Sequence, residues 1–135
     1  MRIVLMNDQI PPEGKGGAES VVWRLAQGLA HAGHDVHIVA TTPDEAFEDI
    51  REGIQTHHLH AKYPKRFRAW LSLRNPQIIE PFRQLMVRLQ PDVINAHNIH
   101  FYLSYHTLEV AHDLGIPTVF SSHDVMPFAY TKLNH

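Results

Sequence analysis

Ile3-Val4-Leu5-Met6 is an unbroken apolar run that stops at Asn7-Asp8. A strand with one wet face shows a polar residue at every second position. A run that is apolar throughout is buried on both faces, as in a parallel sheet covered by helices on each side. The next segment changes period. Ala18, Val21, Val22, Leu25 and Leu29 follow helical spacing, with Glu19, Arg24 and Gln27 opposite them. Gly33 closes this helix as a C′ glycine. Gly28 lies inside it at a cost of about 1 kcal/mol relative to Ala, which points to a close packing contact there.

The alternation continues. Val36 to Thr42 reads as the second strand, and Ile54 to His60 as a third, more exposed one. Asn75-Pro76 offers a helix N-cap and a first-turn proline, and Ile78, Ile79, Phe82, Leu85, Met86 and Leu89 keep helical spacing. Pro81 either kinks that helix or begins it. Val93 to Ala96 is a fourth strand, Phe101 to Leu114 a helix closed by Gly115, and Thr118 to Ser121 a fifth strand. The order is strand, helix, strand, strand, helix, strand, helix, strand. The predicted fold is α/β: a Rossmann-like parallel sheet with flanking helices in a single domain.

Composition narrows the function. The 135 residues contain no Cys, which removes disulfides, thiolate metal sites and a Cys nucleophile. Fourteen acidic and twelve basic residues give a net charge of -2, without the basic footprint of a nucleic-acid binder. No segment reaches the ~18 consecutive apolar residues of a membrane span. The N-terminus turns polar too early for a signal peptide, so the expected location is cytoplasmic.

Ligands of such sheets bind beyond the carboxyl ends of the strands. After the first strand comes Gly14-Lys15-Gly16-Gly17-Ala18-Glu19. Backbone N–H groups and the helix dipole at Gly16 and Gly17 would favour a phosphate or an acceptor oxygen. The loop is not a dinucleotide fingerprint, because Glu19 stands where a third glycine is needed. It is not a P-loop either, because no Ser or Thr follows Lys15. After the fourth strand comes His97-Asn98, and after the fifth His123-Asp124. Two histidines at adjacent strand ends can hold a polar substrate or move a proton. His57, His58 and His60 have a spacing that zinc could use, but a solvated edge strand accounts for them, and no metal site is expected.

Charge is also patterned. Asp44 to Glu52 is acidic, and Lys62 to Arg74 is basic with no acid between. A basic helix with interleaved aromatics can lie on an anionic membrane surface, which makes Lys62, Lys65, Arg66, Arg68 and Trp70 a candidate peripheral contact. The alternative is a solvated helix with Trp70 partly tucked in.

Met1-Arg2-Ile3-Val4, Gly16-Gly17-Ala18-Glu19, Leu29 to Val36, Pro91 to Asn98 and Gly115 to Asp124, in this order and spacing, resemble the acceptor-side domain of GT-B glycosyltransferases. The closest group is the family-4-like retaining enzymes. The resemblance implies transfer of a sugar from a nucleotide-diphosphate donor to a glycan, lipid or small-molecule acceptor, with no metal or other cofactor required. It places His123 at the reaction centre, and Gly16, Gly17, Glu19, His97, Asn98 and Asp124 along the donor phosphates and substrates. Asn95 departs from relatives that carry a His there. The resemblance also implies that residues 1–135 are an incomplete N-terminal domain, that the nucleotide-sugar-binding domain is absent, and that the isolated chain is inactive. Two other classes stand beside this one: a non-catalytic sugar- or anion-binding α/β module, and a dinucleotide-dependent oxidoreductase. The second is disfavoured by Thr41-Thr42 where an acidic residue should end strand two.

Overall fold

The structure is a computed structural model and describes residues 1–62 and 66–123. Its elements are β1 (Arg2–Met6), α1 (Gly17–His31), β2 (Asp35–Thr42), β3 (Phe47–Arg51), β4 (Ile54–His60), α2 (Arg68–Leu73), α3 (Pro76–Leu89), β5 (Val93–Ala96), α4 (His106–Asp113) and β6 (Thr118–Phe120). The six strands form one sheet in the order β3-β4-β2-β1-β5-β6. All neighbours are parallel except β3, which runs antiparallel to β4.

The apolar run at the N-terminus is the middle of this sheet. β1 pairs with β2 on one side (Met6 opposite Val39) and with β5 on the other (Met6 opposite Ala96). Its alternate residues feed two separate cores. Ile3 and Leu5 join Val22 and Ala26 of α1, while Val4 and Met6 join Ile78, Phe82 and Met86 of α3 and Val110 of α4. A strand covered on both faces favours apolar side chains at every position, which is why the run is unbroken.

After β1 the chain winds outward through β2 to β4. It then crosses back by α2 and α3 to place β5 on the opposite side of β1. Strand order therefore reverses between β1 and β5, and the crevice beyond their carboxyl ends is the topological switch point.

Several expectations need correction. The third predicted strand, β4, is not a solvated edge: His57 and His58 are both buried. The acidic segment before it folds as β3 and takes the edge position. The hairpin turns on Glu52 (φ 52°) and Gly53 (φ 78°), and a two-residue loop with both φ values positive is the tight connection that strand twist favours. α3 runs through Pro81, with the Asn75 side chain accepting from the Gln77 N–H at 3.2 Å as its cap. α4 starts at His106 and not at Phe101, because Ser104 takes φ 76° and interrupts the run. A Cβ added at Gly28 meets nothing within 4 Å, so no close packing explains that glycine. Val21 and Leu25 of α1 stay substantially exposed, because only Val22 and Ala26 face the sheet squarely.

Candidate active site at the strand ends

β1 ends in two buried polar residues. Asn7 and Asp8 have exposures of 1% and 4%. Each ties the end of β1 to loops far away in sequence. The Asn7 Oδ1 accepts from the Asn98 N–H at 3.0 Å, and the Asp8 N–H donates to the Asn98 carbonyl at 2.7 Å. The Asp8 carbonyl accepts from both the backbone N–H and the hydroxyl of Thr41. The Asp8 carboxylate accepts three consecutive N–H groups, from Phe101 (2.8 Å), Tyr102 (3.1 Å) and Leu103 (2.9 Å). Burial pushes its pKa up to about 7 against the pull of those three N–H groups, with the Glu19 carboxylate adding to the rise.

These contacts frame a cleft of about 240 Å³ beyond β1 and β5, lined by Asn7, Asp8, Glu19, Arg68, Asn98 and Tyr102 among others. Of the sequence candidates, Glu19 and Asn98 thus share one cleft. Gly16 caps α1 in extended conformation with no side-chain cap. The Glu19 carboxylate folds back over this loop: a Cβ added at Gly16 would lie 2.3 Å from its Oε2, and one at Gly14 would lie 2.8 Å from its Cγ. Glycine at 14 and 16 is therefore what lets Glu19 lie there. It also means that the start of α1 already faces a carboxylate, which an incoming phosphate would have to displace.

His97 follows β5 and is almost fully buried, while His123, beyond β6, is exposed. The structure brings them together. His97 Nδ1 and His123 Nε2 lie 2.7 Å apart, with the rings 18° from parallel. On its other side His97 Nε2 meets Asn95 Oδ1 at 2.6 Å. The Asn95 Nδ2 donates to the Val119 carbonyl (3.1 Å) and Ser121 Oγ (3.0 Å), which joins β5 to the end of β6. Burial, with help from the neighbouring His123, lowers the His97 pKa to about 4. Asp124 and Lys65 lie outside the described residues.

The sequence reading missed Asp8 and underrated Asn95. Asp8 had a visible signal, a polar pair ending an otherwise apolar strand. Asn95 had none beyond its place two residues before His97. Among the described residues no group of three or more His, Asp or Glu is placed to hold a metal ion. No described helix is long and apolar enough to cross a membrane.

A larger cavity, about 540 Å³, lies at the other edge of the sheet between β3, β4 and α3. It is bordered by a row of ionisable groups. His37 Nε2 meets Asp35 Oδ1 (3.1 Å), His37 Nδ1 meets His57 Nε2 (2.9 Å), His57 Nδ1 meets Glu48 Oε1 (3.1 Å), and Glu48 pairs with Arg88. Of this row, Glu48, His57 and Arg88 line the cavity.

The family model of Glycosyltransferase Family 4 matches residues 15–135. The chain belongs to glycosyltransferase family 4. A comparison with curated protein sequences found no match. Among solved structures, the family 4 chain is similar to the catalytic domain of starch synthase IV from Arabidopsis thaliana bound to ADP and acarbose. The TM-score there is 0.62 at 15% identity, over 91% of this chain and 34% of that one. It is also similar to a trehalose-6-phosphate protein from E. coli bound with UDP-2-fluoro glucose (TM-score 0.49, 15% identity, 90% of this chain and 32% of that one). The family 4 chain thus spans about a third of the length of the solved structures it matches. At this identity the starch synthase supports the fold, a Rossmann-like α/β domain.

Proposed function

We propose that this chain is the acceptor-side domain of a retaining glycosyltransferase. The whole enzyme would transfer a sugar from a nucleotide-diphosphate donor to a glycan, lipid or small-molecule acceptor. Family membership supports glycosyl transfer in general, and one observation carries the assignment of the site. At the switch point, Asn98 and Glu19 share a cleft, and the residue before Asn98 pairs with His123 from the next strand end. Ligands of open α/β sheets bind at that place.

In this reading His123 and Asn98 supply fixed hydrogen-bond partners for the transferred sugar. The N–H groups at Gly16 and Gly17 stabilise charge on the departing diphosphate once Glu19 swings aside. Glu19 is then free to accept a hydroxyl of the acceptor. The nucleotide sits mainly on a second domain, so the 135 residues alone are inactive, and no metal is needed. α2 offers a peripheral contact with an anionic membrane at the cytoplasmic face: Phe67, Trp70 and Leu73 are exposed beside Arg66 and Arg68.

Ligand-observed NMR tests the site. The chain is mixed with ADP-glucose, UDP-glucose and an oligosaccharide acceptor in turn. The expected result is saturation transfer to sugar protons of at least one probe, reduced in His123→Ala. No transfer to any sugar would sink the reading. Turnover by the isolated chain, lost in His123→Ala, would overturn its predicted inactivity.

A further inference from the structure

The direction of every hydrogen bond in the Asn95–His97–His123 row can be read from its fixed end. The Val119 carbonyl is an acceptor only, so the Asn95 group 3.1 Å from it must be the amide nitrogen. Flipping the amide would set two oxygens against each other. Asn95 therefore turns its oxygen to His97, and at 2.6 Å that oxygen needs a donor. His97 Nε2 must carry a hydrogen. His97 is buried, and among the described residues its ring bonds to Asn95 and His123 and to no carboxylate, so its ring is neutral and bears one hydrogen. Its Nδ1 is then a bare lone pair. The 2.7 Å contact there is a hydrogen bond only if His123 Nε2 donates.

We propose that Asn95 and His97 are positioning residues that keep the hydrogen of a neutral His123 on Nε2, so that in this form His123 meets its ligand as an acceptor at Nδ1. The ligand atom that the neutral form takes is a hydroxyl donor, such as a sugar hydroxyl, and not a phosphate oxygen. This assignment of the ligand rests on the glycosyl-transfer reading, whereas the hydrogen positions do not. The row also gives Asn95 a purpose. An imidazole at 95 can reverse its polarity by changing tautomer; an amide clamped by the Val119 carbonyl cannot.

The test is nitrogen-15 NMR of the histidine rings in the 135-residue protein near neutral pH, without any ligand. The expected result is a slowly exchanging ring N–H on His123 Nε2. A coupling across the hydrogen bond should link it to an unprotonated His97 Nδ1. Finding that hydrogen on His97 Nδ1, or finding no coupling, overturns the proposal. His97→Gln keeps an acceptor oxygen and should retain the protected His123 N–H; His97→Leu should lose it. Asn95→Leu should let His97 populate both tautomers. An unchanged single tautomer in that variant, with a native amide spectrum, removes Asn95 from the positioning role. Failure of every sugar probe to bind would sink the transferase reading and leave these hydrogen positions untouched.

Discussion

The carboxylate of Asp8, at the end of β1, accepts the backbone N–H of Leu103 at 2.9 Å across 95 positions of sequence. The same group takes the N–H groups of Phe101 and Tyr102. One side chain thus fixes the turn that walls the cleft. Asp8→Ala leaves three N–H groups without a partner. With each unsatisfied buried group costing about 1–3 kcal/mol, the loss should reach several kcal/mol if the turn stays in place, and less if it opens to water. The midpoint of urea unfolding measures the cost. Hydrogen exchange should quicken at residues 101–103 before anywhere in β1; uniform quickening would deny Asp8 this local role.

Asp8 and His97 should pull stability in opposite directions with pH. His97 has its pKa lowered from 6.5 to about 4 on folding. The unfolded chain binds the extra proton in that window, so this contribution is lost as pH falls from about 6.5 toward 4, by roughly 3 kcal/mol. Asp8 has its pKa raised from 3.8 to about 7. Here the folded chain binds the extra proton, so the contribution is present at low pH and lost as pH rises through 7, by roughly 4 kcal/mol. Relative to the parent protein, Asp8→Asn should gain stability as pH rises across this window, and His97→Gln should lose it. Parallel curves for all three proteins would refute both assignments.

Phe82 is fully buried between α3 and the sheet. Phe82→Ala should cost about 3–5 kcal/mol, because the cavity collapses only partly. Val87→Ala, on the exposed side of the same helix, should change stability by less than about 0.5 kcal/mol. Denaturant unfolding of the pair checks which face of α3 carries the core.

The row beside the larger cavity makes its own prediction. Burial lowers the His57 pKa, and the Glu48 carboxylate raises it in part. Glu48→Gln removes that support, so His57 should titrate lower still. NMR titration of the ring protons reads the shift. A His57 pKa that stays put or rises would show that the 3.1 Å contact carries no electrostatic weight.

Membrane contact by α2 is tested by co-sedimentation with vesicles. Trp70 is 66% exposed, against the expectation that it tucks in, and Phe67 is 76% exposed. Binding to phosphatidylglycerol vesicles should exceed binding to pure phosphatidylcholine, and should fall in Arg66→Glu with Arg68→Glu and in Trp70→Ala. Sedimentation indifferent to all three changes would rule the contact out.

Local signals sufficed for much of this protein. β1 could be read because a strand covered on both faces favours apolar residues throughout. α3 could be read because its stripe and its Asn75-Pro76 start are both local. Gly16, Glu19, His97, Asn98 and His123 could be named as candidates because strand ends are where such sheets bind ligands, and strand ends are visible as breaks in apolar runs. What the sequence could not decide involves partners far apart. β3 carries too many charges to look like a strand; only pairing with β4 and a two-residue turn with positive φ make it one. His57 and His58 look solvated until β3 covers them. Asp8 is one more loop carboxylate until three N–H groups, more than ninety residues away, converge on it. The direction of the Asn95–His97–His123 hydrogen bonds follows from a single carbonyl on the neighbouring strand. Periodicity records which face of an element is buried, whereas a hydrogen bond between distant loops leaves no periodic trace and appears only once the sheet has set its register.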